Sequence, residues 1–243
     1  MTALLEQLVH IPSDAIHIEG MLELPENAQG IVLFAHGSGS SRHSPRNNYV
    51  ARILREAGIG TLLMDLLTQQ EDMNYETRFD IPLLTHRLLD ATRWVSHEPA
   101  TQNLPTGYFG ASTGAAAALQ AAAQSTHNIA AVVSRGGRPD LAGAAALGKV
   151  RAPTLLLVGG FDDVVIELNQ SAYDLLHCQK VFTIIPGATH LFEEPGTLEQ
   201  VAHQAAAWFK QYLTPGSLSD LKNRSEVVQA GKPQSGCSQN LAD

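Results

Sequence analysis

The pentapeptide Gly110-Ala111-Ser112-Thr113-Gly114 lies between a strand-like run, Gly107–Phe109, and an alanine-rich stretch of helical character that begins near Gly114. A serine in such a G-x-S-x-G turn takes a strained backbone conformation, because the chain passes from strand to helix around a single residue and pushes the hydroxyl clear of the sheet. Its small neighbours are a steric requirement. Gly110 and Gly114 let the two backbones close up, while Ala111 and Ala115–Ala118 hold the helix near the sheet. This one turn therefore asks for a parallel α/β architecture, in which strands feed helices that pack back on the sheet.

The rest of the chain agrees. Strand-like and helical patterns alternate from about residue 30 onward, as in βαβ units. The unbroken apolar run Ile31–Ala35 reads as a strand buried on both faces. After the loop His36-Gly37-Ser38-Gly39, Ser44 is a candidate N-cap with Pro45 at the first helical position, and that helix stops at Gly58. Further strands are expected at Thr61–Met64, Ile129–Ser134, Thr154–Val158 and Val181–Ile185. Helices are expected at Asp80–Ser96 and from Thr197, whose spacing to Gln200 predicts a capping box. Ahead of the alternation, Leu8–Ile11 and Ile16–Leu24 predict an antiparallel hairpin at one edge. The expected fold is a mostly parallel, doubly wound α/β sheet with that N-terminal hairpin and little or no lid, since Gly136–Arg151 is short. In a chain of 243 residues, 1–213 read as a single domain and 214–243, rich in Ser, Gly, Asn and Gln, as a flexible polar tail.

A serine hydroxyl is a poor nucleophile unless a base takes its proton, and in sheets of this kind active-site loops gather beyond the C-terminal ends of strands. Two later strand ends carry the missing groups, in the chain order serine, acid, histidine. Thr154–Val158 runs into Gly159-Gly160-Phe161-Asp162-Asp163, and Val181–Ile185 runs into Pro186-Gly187-Ala188-Thr189-His190. Among ten histidines, His190 alone follows a late strand after both other groups. Asp162 and Asp163 compete for one role. Asp162 directly follows the turn and is the preferred acid, which leaves Asp163 to cap a helix around Ile166–Leu175. The amides of Thr113, at a helix N-terminus, and of Ser38, in the first glycine loop, are the expected oxyanion donors. His36 reads as a residue that fixes that loop. Arg42 and Arg135 are candidates to pair with a substrate carboxylate, with a surface salt bridge as the competing reading.

These segments resemble the α/β-hydrolase superfamily, and more narrowly its dienelactone-hydrolase-like branch. The likeness is carried by His36-Gly37-Ser38-Gly39-Ser40-Ser41-Arg42, the elbow Gly107–Gly114, the turn Gly159-Gly160-Phe161-Asp162 and Gly187-Ala188-Thr189-His190-Leu191-Phe192, and spans about residues 20 to 213. It implies a serine hydrolase that cleaves a carboxylic ester, or a thioester or lactone, of a small acyl substrate through an acyl-enzyme, with no metal and no organic cofactor. Similar sequences also occur fused to a phosphoribosyltransferase domain, with a run like Ser134-Arg135-Gly136-Gly137-Arg138-Pro139-Asp140. Dienelactone hydrolases proper carry cysteine at the elbow, where this chain has Ser112, which favours ordinary ester chemistry.

A formal net charge of -8 without a dense basic run argues against a nucleic-acid partner. Two cysteines, Cys178 and Cys237, are too few for a disulfide framework or a zinc site. With no signal-like N-terminus and no membrane-length apolar run, a cytoplasmic protein without a membrane span is expected. Two rival readings remain. Gly37-Ser38-Gly39 with Asp65 begins like a dinucleotide-binding fingerprint, although Arg42 stands in place of its third glycine. The chain could also keep the fold as a non-catalytic binding protein.

Overall fold

A computed structural model describes residues 4–213. Alternating side chains at the N-terminus form the expected hairpin, β1 (Leu4–Ser13) and β2 (Ile16–Pro25), in antiparallel register from Leu4↔Pro25 to Ser13↔Ile16. Then come β3 (Ile31–Ala35), α1 (Pro45–Glu56), β4 (Gly60–Met64), α2 (Gln69–Asp72), α3 (Ile81–Val95), β5 (Thr106–Ala111) and α4 (Thr113–Gln124). The chain continues through β6 (Ile129–Arg135), α5 (Ala144–Leu147), β7 (Thr154–Gly159), α6 (Asp163–Leu175), β8 (Lys180–Ile185) and α7 (Thr197–Leu213).

The strands make one sheet in the order β1-β2-β4-β3-β5-β6-β7-β8. The hairpin joins β4 antiparallel, and every pairing from β4 to β8 is parallel. Strands β3, β4, β6 and β7 are buried at every position, which a sheet covered on both faces requires. On one face, Leu33, Leu62, Tyr108, Val132 and Leu156 pack with Leu84 and Leu88 of α3 and the alanines of α4. On the other, Phe34, Phe109, Val133 and Leu157 pack with Val50 and Leu54 of α1 and Val201, Ala205 and Phe209 of α7. The doubly wound sheet is thus as expected. Between β6 and β7 only a 3₁₀ turn (Pro139–Ala142) and α5 intervene, so no large lid is built there.

Local signals fared unequally. Ser44 caps α1, accepting from the Asn47 amide at 3.3 Å, with Pro45 in the first turn. The Thr197–Gln200 box does not form: Thr197 already lies inside a turn, its hydroxyl donates to the Glu194 carbonyl at 2.7 Å, and the Gln200 amide reaches Gly196 O at 3.1 Å. A capping box needs its threonine in extended conformation outside the first turn. Thr68 meets that condition with φ -69° and ψ 161°, and pairs reciprocally with Glu71 to start α2 in a segment that reads from sequence as loop. The expected tail, 214–243, and Cys237 lie outside the described residues. Among the described residues, no helix is long and apolar enough to cross a membrane.

Candidate active site

Ser112 sits between the last residue of β5 and the first of α4 with φ +50° and ψ -122°, a conformation that L-residues rarely adopt. The two elbow glycines show why the turn tolerates nothing larger. A Cβ on Gly110 would stand 2.5 Å from Ala115 Cα, and one on Gly114 would stand 2.1 Å from Ala35 O and 2.5 Å from His36 O. The strained serine is held from both sides. Its amide donates to Arg135 O at 3.3 Å, and its carbonyl accepts from the Ala115 and Arg138 amides at 3.1 and 3.0 Å. The loop after β3 closes over it, so that a Cβ on Gly37 would meet Ser112 Cβ at 2.9 Å.

The structure brings the two expected oxyanion donors together in an unexpected way. The Ser38 amide donates to Thr113 Oγ1 at 3.0 Å, whereas the Thr113 amide, in the first turn of α4, keeps no acceptor among the described residues. Ser38 is therefore engaged where Thr113 is open. No acidic side chain occupies that first turn, so the positive end of the helix is uncompensated beside the serine.

His190 Nδ1 and Asp162 Oδ2 lie 2.6 Å apart. Asp162 occupies the N-cap position of α6 but gives the helix no side-chain bond, since its carboxylate is turned to the imidazole. Asp163 is correspondingly not the cap: α6 begins at Asp163 itself, three residues before the expected start, because the chain turns helical as soon as it leaves the acid. The imidazole and the serine converge on one turn. Arg135 O accepts the Ser112 amide, and a Cβ on the next residue, Gly136, would lie 3.7 Å from His190 Cε1. No hydrogen bond joins Ser112 to His190 in this structure. Phe161 and Val164, close to Asp162 in the chain, and Leu191, next to His190, are apolar and exposed by 71%, 70% and 41%.

The remaining candidates divide. His36 is structural, as its sequence context suggests: Nδ1 faces Gly37 O at 2.9 Å and Nε2 accepts from the Leu66 amide at 3.0 Å, which fixes the neutral tautomer. Burial holds its pKa below the ordinary imidazole value. Arg42 is bound up in ion pairs with Asp65 and Glu19. It lines a cleft of about 670 Å³ between the hairpin and the segment after β4, and neither Ser112 nor His190 borders that cleft. Asp65, committed to Arg42, is no longer a free ribose acid. Arg138 makes a bidentate pair with Asp140 at 2.9 and 2.8 Å. Arg135 takes no salt bridge among the described residues. It ends β6 with 8% exposure, its best acceptor is Asn47 Oδ1 at 3.4 Å, and its guanidinium lies 5.8 Å from the centre of the Phe192 ring. Burial first, and the neighbouring charge of Arg46 second, lower its pKa to about 10. No local pattern announces a buried arginine without a carboxylate, because the partners are set by packing.

A parallel sheet with a strained serine between strand and helix, and an acid–histidine pair on later strand ends, defines the α/β-hydrolase class. Within it, the chain belongs to the dienelactone-hydrolase-like branch. It is 55% identical to a dienelactone hydrolase of Anabaena variabilis, with a TM-score of 0.83 over 86% of this chain and 99% of that one. The fold is shared with Est1E of Butyrivibrio proteoclasticus (15% identity, TM-score 0.72, covering 84% of this chain and 98% of that one). It is shared also with an esterase domain from Rhodothermus marinus (20% identity, TM-score 0.70, covering 86% and 99%). A Mycobacterium tuberculosis protein provisionally named a phosphoribosyl transferase is 58% identical over 208 residues, 86% of this chain. The chain spans 47% of that relative's length. No protein-family model matches. The chain thus has the fold of the α/β-hydrolases.

Proposed function

We propose that the chain is a serine hydrolase that cleaves a carboxylic ester, or a related thioester or lactone, of a small acyl substrate. The observation that carries this reading is the His190–Asp162 pair at 2.6 Å, at the same turn that holds the strained Ser112. Asp162 orients the imidazole with Nδ1 protonated, which leaves Nε2 free to accept the serine proton. Ser112 Oγ then attacks the acyl carbon, and the oxyanion forms against the Thr113 amide at the N-terminus of α4. The protonated His190 returns its proton to the leaving alcohol, and water repeats the sequence to release the acid. These steps call for no metal ion and no organic cofactor. The missing Ser112–His190 hydrogen bond fits a resting site, since such contacts tighten when substrate arrives. A second oxyanion donor becomes available if Thr113 Oγ1 rotates off the Ser38 amide.

The exposed apolar side chains of Phe161, Val164 and Leu191, neighbours of Asp162 and His190 in the chain, support contact with an uncharged part of the substrate. The phosphoribosyl transferase name belongs to proteins about twice as long, and the shared segment holds the elbow and the acid–histidine pair, so hydrolysis is the activity we assign to it. A fluorophosphonate should label Ser112, and Ser112→Ala should lose both the label and the turnover of 4-nitrophenyl acetate, by at least about 10⁴-fold in kcat. Turnover retained in that variant would refute the assignment, and an unlabelled wild-type serine would favour a non-catalytic protein.

A further inference from the structure

Among the described residues, the fold buries the Arg135 guanidinium without supplying an anion. Arg135 is 8% exposed, its Nε has no acceptor, and its single side-chain hydrogen bond, to Asn47 Oδ1, is 3.4 Å long. A charge taken out of water unpaired is heavily penalised, and a site that retains one commonly receives its counter-ion with a ligand. The surroundings point to where that ligand sits. Two rungs connect the first turn of α1 with the segment just after His190. In the inner rung, Arg135 lies between Asn47 and the ring of Phe192. In the outer rung, one residue along on each side, Arg46 Nη1 meets Glu193 Oε1 at 2.9 Å. Arg46 also has a buried Nε without an acceptor, and the Glu193 side chain is 63% exposed. The first turn of α1 contains no acidic residue, so its positive end adds to the same field. The junction thus gathers two guanidiniums and one carboxylate that is free to swing into solvent.

We propose that this junction binds a dianionic oxyanion of the phosphomonoester type, held by Arg135 and Arg46, with Glu193 as the group that it displaces. Guanidinium forks match phosphate geometry, and once Glu193 leaves, two positive charges face the two negative charges of the ligand. A monocarboxylate would leave one arginine uncompensated. The junction adjoins the serine turn along the chain, because the Arg135 carbonyl accepts the Ser112 amide at 3.3 Å and Phe192 is two residues from His190. On this reading the phosphate belongs to the acyl substrate. That last step rests on the serine-hydrolase reading, whereas the affinity for phosphate does not.

The test has a binding arm and a kinetic arm. Inorganic phosphate at millimolar concentration should bind the full chain and its Ser112→Ala variant equally, by calorimetry and by a raised unfolding midpoint. Arg46→Ala should weaken binding severalfold and Arg135→Gln should abolish it. Glu193→Gln should tighten binding severalfold, which a merely structural ion pair would not do. Arg46 and Glu193 are exposed enough that these two variants keep the test alive if Arg135→Gln fails to fold. In the kinetic arm, acetyl glycerol 3-phosphate should exceed acetyl glycerol in kcat/KM by about tenfold or more. The ratio should fall toward one in Arg46→Ala. Phosphate binding with the expected variant pattern but without that ratio would support the site with free phosphate as its ligand. No phosphate binding, or binding indifferent to Arg46 and Glu193, would overturn the proposal. Should neither ester be cleaved and no fluorophosphonate adduct form, the hydrolase reading fails while the binding arm still decides this one.

Discussion

Two adjacent aspartates meet different surroundings. Asp162 reaches His190 at 2.6 Å, whereas Asp163 opens α6, where a negative charge favours the helix dipole. Asp162→Asn is therefore expected to lower kcat for a 4-nitrophenyl ester on the order of 10⁴-fold, because the amide fixes the wrong imidazole tautomer. Asp163→Asn should leave kcat within about threefold and lower stability by less than about 1 kcal/mol, the range of a charge at a helix end. Equal losses in the two variants, measured side by side, would reassign the acid. The placement of Ser112 at a strand-to-helix turn and of His190 beyond a strand end was legible, because both features are written in neighbouring residues. The choice of acid was legible only as a preference. The commitment of Arg42 to Asp65 and Glu19, and the isolation of Arg135, were not legible, since each depends on residues brought from elsewhere in the chain.

The elbow works as a junction of three elements. The N-terminus of α4 rests on the exit of β3, and Gly114 lies so close to Ala35 O that a methyl group would fall at 2.1 Å. Gly114→Ala should therefore either push α4 away from β3 or prevent folding. The expected loss is about 3 kcal/mol or more in a urea titration, at the upper end of overpacking effects. Fluorophosphonate labelling of Ser112 should fall with it. A variant as stable and as reactive as the wild type would show that the close approach is not needed. Helix boundaries illustrate the same dependence on neighbours. The Ser44 cap and the Pro45 start were read correctly, because each acts within one turn of its own helix. The Thr197 box failed because the turn from Glu194 had already fixed that residue, and the box at Thr68 went unseen in a segment with little helical pattern.

Across the molecule, the sheet places all of these groups at one edge, and His36 is a stitch in that edge. Its Nε2 accepts the Leu66 amide just beyond β4, while burial keeps the ring neutral. As pH falls below the ordinary imidazole value of about 6.5, the unfolded chain takes up a proton that the folded His36 resists. Stability should then drop with acid, by up to about 1.4 kcal/mol per pH unit from this group, and be fully present above that pH. His36→Gln should flatten the slope of urea midpoints measured between about pH 8 and 5. An unchanged slope would place the acid sensitivity elsewhere. The sequence by itself determined the alternation of strands and helices, the elbow, and the strand ends that carry Asp162 and His190, because those features follow from sterics and periodicity within a few residues. Only the tertiary structure decided which aspartate meets the imidazole, which amide is left open at the serine, and which arginine is buried without a partner. Those outcomes turn on distances of a few ångströms between segments far apart in the chain, and such distances are fixed by how the two faces of the sheet are packed.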